Sequence, residues 1–356
     1  MSIPLWLSKS RSPFHQKNIQ RTLQQRENTR ASIRSLHLRG LDPPDGIPRQ
    51  LFDYYSIAVG CHPDNALKNR YGDVIPYDRT RIVVAQRDYL NANWCLERAG
   101  HKWWIASQAP MPQTAHAFLS LIRQPITVPL SATRSPQSPA PQPTRVRTVV
   151  QLTMLVEGGR RKAHGYFPTV IGPSHAIIHN PEPGYSGAAL TVTLVESVEI
   201  SDACCVKSTV SISLEGDRQT DPITFQHLLY TAWPDQGVPE LEDQKSLMAF
   251  IRLVDSTNRQ ADDTDPPIIV GCSAGIGRTG TFIAASSLLR SQEFLPPAAS
   301  PSSISLSSPL GPLPSVFDED LVGREVDWLR EQRSGMVQQN SQLALIYTLL
   351  EAAYRP

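Results

Sequence analysis

The sequence has almost no net charge, since 34 Lys and Arg residues stand against 33 Asp and Glu residues and give +1 at pH 7 over 356 residues. This balance argues against a broad basic surface, so we expect no nucleic-acid partner. No apolar run reaches the ~18 residues that a membrane helix needs, and no apolar segment of a signal peptide follows Met1. We therefore expect no membrane association and no secretory leader.

Cysteine is scarce, and its number and spacing argue against a zinc protein and against a disulfide-stabilised secreted protein. The five cysteines form an odd set without the paired spacing of a zinc site: Cys61, Cys95, Cys204, Cys205 and Cys272. We expect no bound metal, at least one free thiol and a reduced intracellular compartment.

Proline is abundant instead, with 31 residues, about 9% of the chain where about 5% is usual. Many prolines fall in two stretches, at about 124–144 and 294–316, that lack the period of a packed helix or strand. We interpret both as mobile surface insertions in one domain spanning 46–356. Residues 1–45 are basic with a sparse apolar stripe, which predicts a helical extension that packs on this domain. A mitochondrial transit segment is the alternative for such an Arg-rich, acid-poor stretch.

Strand and helix patterns alternate along the domain. Runs rich in Val, Ile and Thr predict strands, and apolar residues at helical spacing predict helices. The predicted strands are 149–154, 190–200, 206–214, 223–230 and 268–270, and the predicted helices are 241–254, 281–289, 321–332 and 340–353. This mixture indicates an α/β or α+β domain.

The strongest chemical signal lies in residues 268–280, where a buried strand leads through a loop of small residues into a helix. Such a loop turns backbone N–H groups inward, and the helix N-terminus adds positive potential, so the segment predicts an anion site. The Lys of a nucleotide-binding loop is missing. Instead, Cys272 opens the loop, where its thiolate is stabilised, and Arg278 closes it with a planar fork of donors. The pattern predicts a cysteine that attacks a phosphorus atom held by amides; a buried structural thiol is the alternative.

Cys272 to Gly280 resembles the signature of the cysteine-dependent protein tyrosine phosphatases. Other segments resemble further motifs of that family in order: the phosphotyrosine loop at 68–73, structural motifs at 88–92 and 108–110, the mobile acid loop at 233–239, and the glutamine loop at 332–338 with Gln342. The resemblance covers about 51–354. It implies an α/β fold with a central twisted mixed sheet flanked by helices, and a phosphate-binding loop between a strand and a helix.

The resemblance also implies catalytic roles. Cys272 is the nucleophile, Arg278 clamps the phosphate, and Asp235 is the general acid that protonates the leaving phenolate and then serves as base. Gln342, and secondarily Gln338, position the hydrolytic water. Thr279 supports departure of the thiolate in the second step.

Substrate contacts follow from the same resemblance. Tyr71 stacks beside the substrate ring and deepens the cleft, which excludes phosphoserine and phosphothreonine, and Asp73 accepts hydrogen bonds from substrate amides. Glu157 and Lys162 resemble a family pair on a hairpin near the acid loop. The remaining substrate-binding residues are Asp235, Ser273, Ala274, Gly275, Ile276, Gly277, Arg278 and Gln342.

Gly271 departs from the family, which usually has a histidine before the nucleophile. Its absence predicts a raised Cys272 pKa and reduced activity, and a histidine placed there is expected to lower that pKa if the ring fits without a clash. The alternative is a pseudophosphatase, a phosphotyrosine-binding module with a crippled thiol. Retention of Asp235 and Gln342 argues against this alternative, because a binding module needs neither. A sulfurtransferase or an arsenate reductase does not explain the acid loop or Tyr71.

The sequence therefore predicts a protein tyrosine phosphatase that needs no cofactor and no metal, because amides and Arg278 neutralise the phosphate. Its expected partners are phosphotyrosine-containing proteins, in signal transduction. We expect a cytoplasmic monomer, with a nuclear address as an alternative.

Overall fold

The structure is a computed structural model that describes residues 2–10, 12–84, 88–129, 142–172, 174–182, 185, 187–216, 222–235, 237–240, 242–259, 264–302, 304 and 307–355. Most of the first proline-rich stretch, residues 130–141, and Gln236 of the acid loop lie outside the described residues. Within the described part of the chain, no helix is both long and apolar enough to span a membrane.

The described residues contain nine α-helices. They are α1 (Leu5–Lys9), α2 (Pro13–Leu38), α3 (Arg49–Tyr54), α4 (Ala58–Cys61), α5 (Ala115–Arg123), α6 (Gln244–Arg259), α7 (Gly277–Ser291), α8 (Leu321–Gln332) and α9 (Asn340–Tyr354).

The strands are β1 (Ala92–Leu96), β2 (Trp103–Gln108), β3 (Thr148–Gln151), β4 (Val156–Glu157), β5 (Arg160–Arg161), β6 (His175–Ile178), β7 (Leu190–Ile200), β8 (Cys205–Leu214), β9 (Ile223–Tyr230) and β10 (Ile268–Cys272). Eight of them form one mixed sheet, and β4 and β5 form a separate hairpin. The predicted α/β class, with a mixed sheet flanked by helices, is confirmed.

The chain divides into two compact units. Unit 2 comprises residues 82–90 and 107–275, and its strands lie in the order β10-β3-β9-β8-β7-β6. β3 pairs in parallel with both β10 and β9, whereas β9, β8, β7 and β6 pair antiparallel. The start of β7 alternates between buried and partly exposed residues, while Ile268, Ile269 and Val270 of β10 are all buried. A continuous apolar run of this kind is typical of a strand covered on both faces.

Unit 1 comprises residues 1–81, 91–106 and 276–356. Its helix α2 covers most of the basic N-terminal stretch, and Ile19, Leu23 and Ile33 of its apolar stripe are buried. The Arg30 side chain is fully buried and reaches Asp327 at 2.7 Å and Glu331 at 2.5 Å, both on α8. The Arg30 charge of α2 is thus neutralised by carboxylates of the same unit.

The second proline-rich stretch is anchored within unit 1 where it is described. The Arg26 guanidinium donates to the Ser308 hydroxyl at 2.9 Å and to the Gly311 carbonyl at 3.2 Å. Ser308 in turn donates to Glu331 at 2.6 Å. These contacts join the stretch to both α2 and α8, so the described residues around Ser308 are held in place rather than projecting as a free loop.

Candidate active site

The predicted anion loop lies between a strand and a helix. β10 ends at Cys272, and α7 begins at Gly277. Gly275 adopts a φ of +72°, a conformation that residues with a side chain rarely adopt. Cys272 itself is buried, with 6% of its surface exposed. The chain therefore turns sharply between a buried thiol and the first N–H groups of α7, the local geometry that an anion site needs.

Two glycines of this segment pack against one backbone carbonyl. A Cβ atom built on Gly271 would lie 2.7 Å from the Ser107 carbonyl oxygen, and one built on Gly275 would lie even closer to the same atom. Because a carbonyl within a strand cannot move aside as a flexible side chain can, a side chain at either position would force the backbone to shift. In the sequence, Gly271 indicates only the loss of a histidine, because no local pattern signals the approach of Ser107.

Hydrogen bonds hold the loop within unit 2. The Ser273 hydroxyl donates to the Lys162 carbonyl at 2.8 Å, and the Ser273 carbonyl accepts from the Ala109 N–H at 3.1 Å. The Leu152 N–H donates to the Gly271 carbonyl at 2.8 Å. Ser273 thus links the loop to the segment after β2 and to the segment after β5.

Asp235, also in unit 2, forms an ion pair. The Lys162 ammonium lies 2.8 Å from Asp235 Oδ1, and both side chains are partly exposed, at 23% and 30%. Within the acid loop, the Trp233 indole N–H donates to the Gly237 carbonyl at 3.4 Å. Glu157 accepts from the Thr153 hydroxyl at 2.8 Å and the Met154 N–H at 2.9 Å. Lys162 therefore holds the predicted acid, while Glu157 braces the turn before its hairpin.

Unit 1 carries the other catalytic candidates. Arg278 and Thr279 lie in the first turn of α7. The Thr279 hydroxyl is buried and has no hydrogen-bond partner among the residues that the structure describes. Gln342, on α9, is buried, and its amide group lies beside Gly277, where a Cβ built on the glycine would be 2.9 Å from Gln342 Nε2. Gln338 is exposed. Of the two glutamines, only Gln342 is therefore shown against the start of α7.

The glutamine loop is fixed to the start of α7 by its backbone. The Val337 N–H donates to the Ile276 carbonyl at 3.2 Å. Val337 has a φ of +56°, unusual for a β-branched residue. The Arg330 guanidinium donates to the Met336 and Val337 carbonyls, both at 2.8 Å. Arg330 is a supporting residue that the sequence analysis missed.

The loop with Tyr71 and Asp73 is exposed, and hydrogen bonds from the Asn91 side chain hold it. Tyr71 has 36% of its surface exposed. The Asn91 amide donates to the Asn69 side chain at 2.9 Å and to the Val74 carbonyl at 2.7 Å. The loop is therefore braced at both ends, and Tyr71 lies on the surface of unit 1.

No cluster of metal ligands is found in the described part of the chain, where three or more His, Cys, Asp or Glu side chains nowhere converge. All five cysteines are free thiols.

Fold and loop together define an α/β protein in which a buried strand of the sheet ends at a cysteine and leads through a loop of small residues into a helix. The sequence profile of the family described as protein-tyrosine phosphatase matches residues 65–127 and 142–301, more than half of the chain. The chain belongs to the protein-tyrosine phosphatase family. The interval between the matched segments coincides with the first proline-rich stretch, and the match ends before Gln338 and Gln342.

Known relatives agree with this assignment. The chain is similar to receptor-type tyrosine-protein phosphatase V of Rattus norvegicus, with 32% identity over 241 residues, 65% of this chain and 12% of that protein. It is also similar to receptor-type tyrosine-protein phosphatase H of Homo sapiens, with 32% identity over 238 residues, 65% of this chain and 18% of that protein. The match thus spans less than a fifth of the length of each relative.

Proposed function

We propose that this chain hydrolyses phosphotyrosine in proteins through a cysteinyl-phosphate intermediate. The observation that carries the proposal is the anion loop, in which Cys272 ends a buried strand and Arg278 lies in the first turn of the following helix. A thiol at this point has backbone N–H groups and a helix N-terminus to stabilise its thiolate. The phosphate would be neutralised by the same amides and by the Arg278 guanidinium, without a metal or cofactor.

The first step transfers the phosphoryl group to sulfur. Cys272 Sγ attacks phosphorus, the bond from phosphorus to the phenolic oxygen breaks, and Asp235 gives its proton to that oxygen. The Lys162 ammonium lies 2.8 Å from Asp235 and favours its ionised form, so Asp235 has to leave this pair and take up a proton before it can act as the acid. Tyr71, exposed on its braced loop, is suited to stack on a phenyl ring.

The second step releases phosphate. Water attacks phosphorus, the bond between sulfur and phosphorus breaks, and Asp235 takes the proton of the water. The buried Gln342, whose amide lies beside the first residue of α7, is suited to orient this water. The buried and unpartnered Thr279 hydroxyl is suited to donate to the departing thiolate.

Cys272→Ser tests the nucleophile directly. Turnover of a phosphotyrosine peptide should fall to background while the fold is kept, because a serine hydroxyl is not ionised at neutral pH. Cys205→Ser, at a buried cysteine of the same unit, is the matched control and should keep its activity. Measurable turnover by Cys272→Ser would refute the assignment.

A second candidate is a catalytically impaired phosphotyrosine-binding module, which Gly271 favours because it lacks the usual histidine. The two functions separate in one comparison. If the protein is a phosphatase, it must show turnover that orthovanadate inhibits. If it is a binding module, the native protein must bind a phosphopeptide without releasing phosphate. Phosphotyrosine proteins as partners, a monomeric state and a cytoplasmic address remain predictions of the sequence.

A further inference from the structure

Tyr166 carries a buried hydroxyl without a partner. Its side chain packs against Phe118, Phe167 and His227, with ring centroids 5.1, 5.2 and 5.9 Å away. The hydroxyl has no hydrogen-bond partner within the part of the chain that the structure describes, and the residue is 3% exposed. Leaving a buried hydroxyl unpaired costs about 1–3 kcal/mol. Tyr230, in the same unit, shows the usual solution, since its hydroxyl lies 2.8 Å from Ser246 Oγ.

A small cavity lies beside this ring. Its volume is about 20 Å³, and its lining includes Tyr166, Phe118, Gln151, Ser107, Gly271 and Cys272, all from unit 2. A cavity must offer about 10–15 Å³ to hold one water molecule, and a water is stable only where polar groups can bond it. The volume suits a single water.

The cavity wall includes the polar residues Ser107 and Gln151. The Ser107 carbonyl oxygen faces Gly271, 2.7 Å from the point where a Cβ would lie. A carbonyl oxygen has two lone pairs and can accept a second hydrogen bond. The Gln151 side chain is committed elsewhere, since its amide donates to the Thr153 carbonyl at 2.7 Å and its oxygen lies 3.2 Å from His227 Nε2.

We propose that one buried water molecule occupies this cavity, bonds the Tyr166 hydroxyl and the Ser107 carbonyl, and lies against Cys272. Gly271 also borders this cavity. Tyr166 is then a positioning residue that acts on the nucleophile through the water. The effect on Cys272 rests on the proposed function, whereas the water site does not.

Tyr166→Phe gives opposite results for a wet and a dry cavity. If the water is present, the variant loses one of its partners, and the folding equilibrium constant should fall about fivefold. If the cavity is dry, the variant removes an unpaired hydroxyl and the protein should become more stable. Urea unfolding measures this difference, and Tyr230→Phe, which loses its bond to Ser246, calibrates the cost of a missing hydrogen bond.

The link to Cys272 has its own readout, the rate of iodoacetate alkylation between pH 5 and 8. We expect its midpoint to lie at higher pH in Tyr166→Phe, because the thiolate is less well stabilised when the water loses a partner, and to stay unchanged in Tyr230→Phe. Burial lowers the pKa of His227 to about 4, so this neighbour stays neutral throughout the assay. An unchanged midpoint in Tyr166→Phe overturns the link.

A high-resolution crystal structure of the native protein should show one water within hydrogen-bond distance of the Tyr166 oxygen. An empty cavity, or an equally or more stable Tyr166→Phe variant, overturns the water site. These readouts need no turnover, so the site is judged separately from the proposed function. If Cys272→Ser proved active, the phosphatase mechanism would fail and the water site would stand.

Discussion

Replacing Gly271 tests whether this position lost a useful histidine or requires glycine. The family resemblance alone predicts that Gly271→His lowers the Cys272 pKa and raises activity, on the condition that the ring fits. The structure denies that condition, because even a Cβ would lie 2.7 Å from the Ser107 carbonyl oxygen. We therefore expect both Gly271→Ala and Gly271→His to be damaging.

The magnitude follows from the neighbour that must move. Overpacking a close-packed interior costs about 1–3 kcal/mol. Replacing glycine also reduces the entropy of the unfolded chain, which returns about 0.4–1 kcal/mol. The net loss expected for Gly271→Ala is about 1–2 kcal/mol of unfolding free energy. The same carbonyl packs against Gly275, so its displacement also moves the anion loop, and a shift near 1 Å can cost about 100-fold in rate.

The assay compares three variants with the native protein by urea unfolding and by kcat/KM on an aryl phosphate. Gly165→Ala is the matched control, because Gly165 is exposed, belongs to the same unit and has open space around it. The control should change stability by no more than about 0.5 kcal/mol. A Gly271→His variant that is as stable as the native protein and turns over faster would refute the packing argument and restore the view of Gly271 as a lost histidine.

Three other predictions concern the acid, the specificity residue and acid stability. Asp235→Ala should slow cleavage of a phosphotyrosine peptide by roughly 10²–10⁴-fold. The cleavage rate of an activated aryl phosphate, whose leaving group needs no proton, should fall less. Equal losses of rate for the two substrates would contradict the acid role. Tyr71→Ala should reduce the preference for phosphotyrosine over phosphoserine peptides while Tyr71→Phe keeps it, and a uniform loss on all substrates would indicate a structural tyrosine. Burial lowers the pKa of His227 to about 4 from about 6.5 when unfolded, so its contribution to stability is complete above about pH 6.5 and is lost as the pH falls towards 4. His227→Gln should therefore reduce the acid-induced loss of unfolding free energy over this range by about 3 kcal/mol, and an unchanged pH profile would contradict it.

The sequence predicted the secondary structure correctly where a local pattern of residues determines it. A continuous apolar run, a loop of small residues and a helical pattern over 268–289 predicted β10, the anion loop and α7 in their observed order. The strands that become β7, β8 and β9 were predicted within one or two residues, because their alternation of Val, Ile and Thr with polar residues has the period of a strand. Ordered motifs then indicated the family, which the profile match confirms.

Contacts between distant segments could not be predicted in this way. Ser107 and Gly271 are separated by more than 160 positions, and neither residue type signals that the two backbones touch. Lys162 was matched with Glu157 from motif resemblance, whereas the structure pairs it with Asp235. Only the fold brings β5 and the acid loop close enough for that ion pair.

The basic N-terminal stretch shows why a count of charges is a weaker guide than their pairing. Eight basic residues against one acid suggested either a helical extension that packs on the domain or a transit segment. In α2, however, Arg30 is fully buried, and its charge is met by Asp327 and Glu331 nearly 300 positions later. Burial disfavours the charged guanidinium, but these carboxylates outweigh that effect and raise the pKa of Arg30. Removing one member of such a buried set leaves uncompensated charge, so this part of α2 is tied to α8 by the cost of separating them.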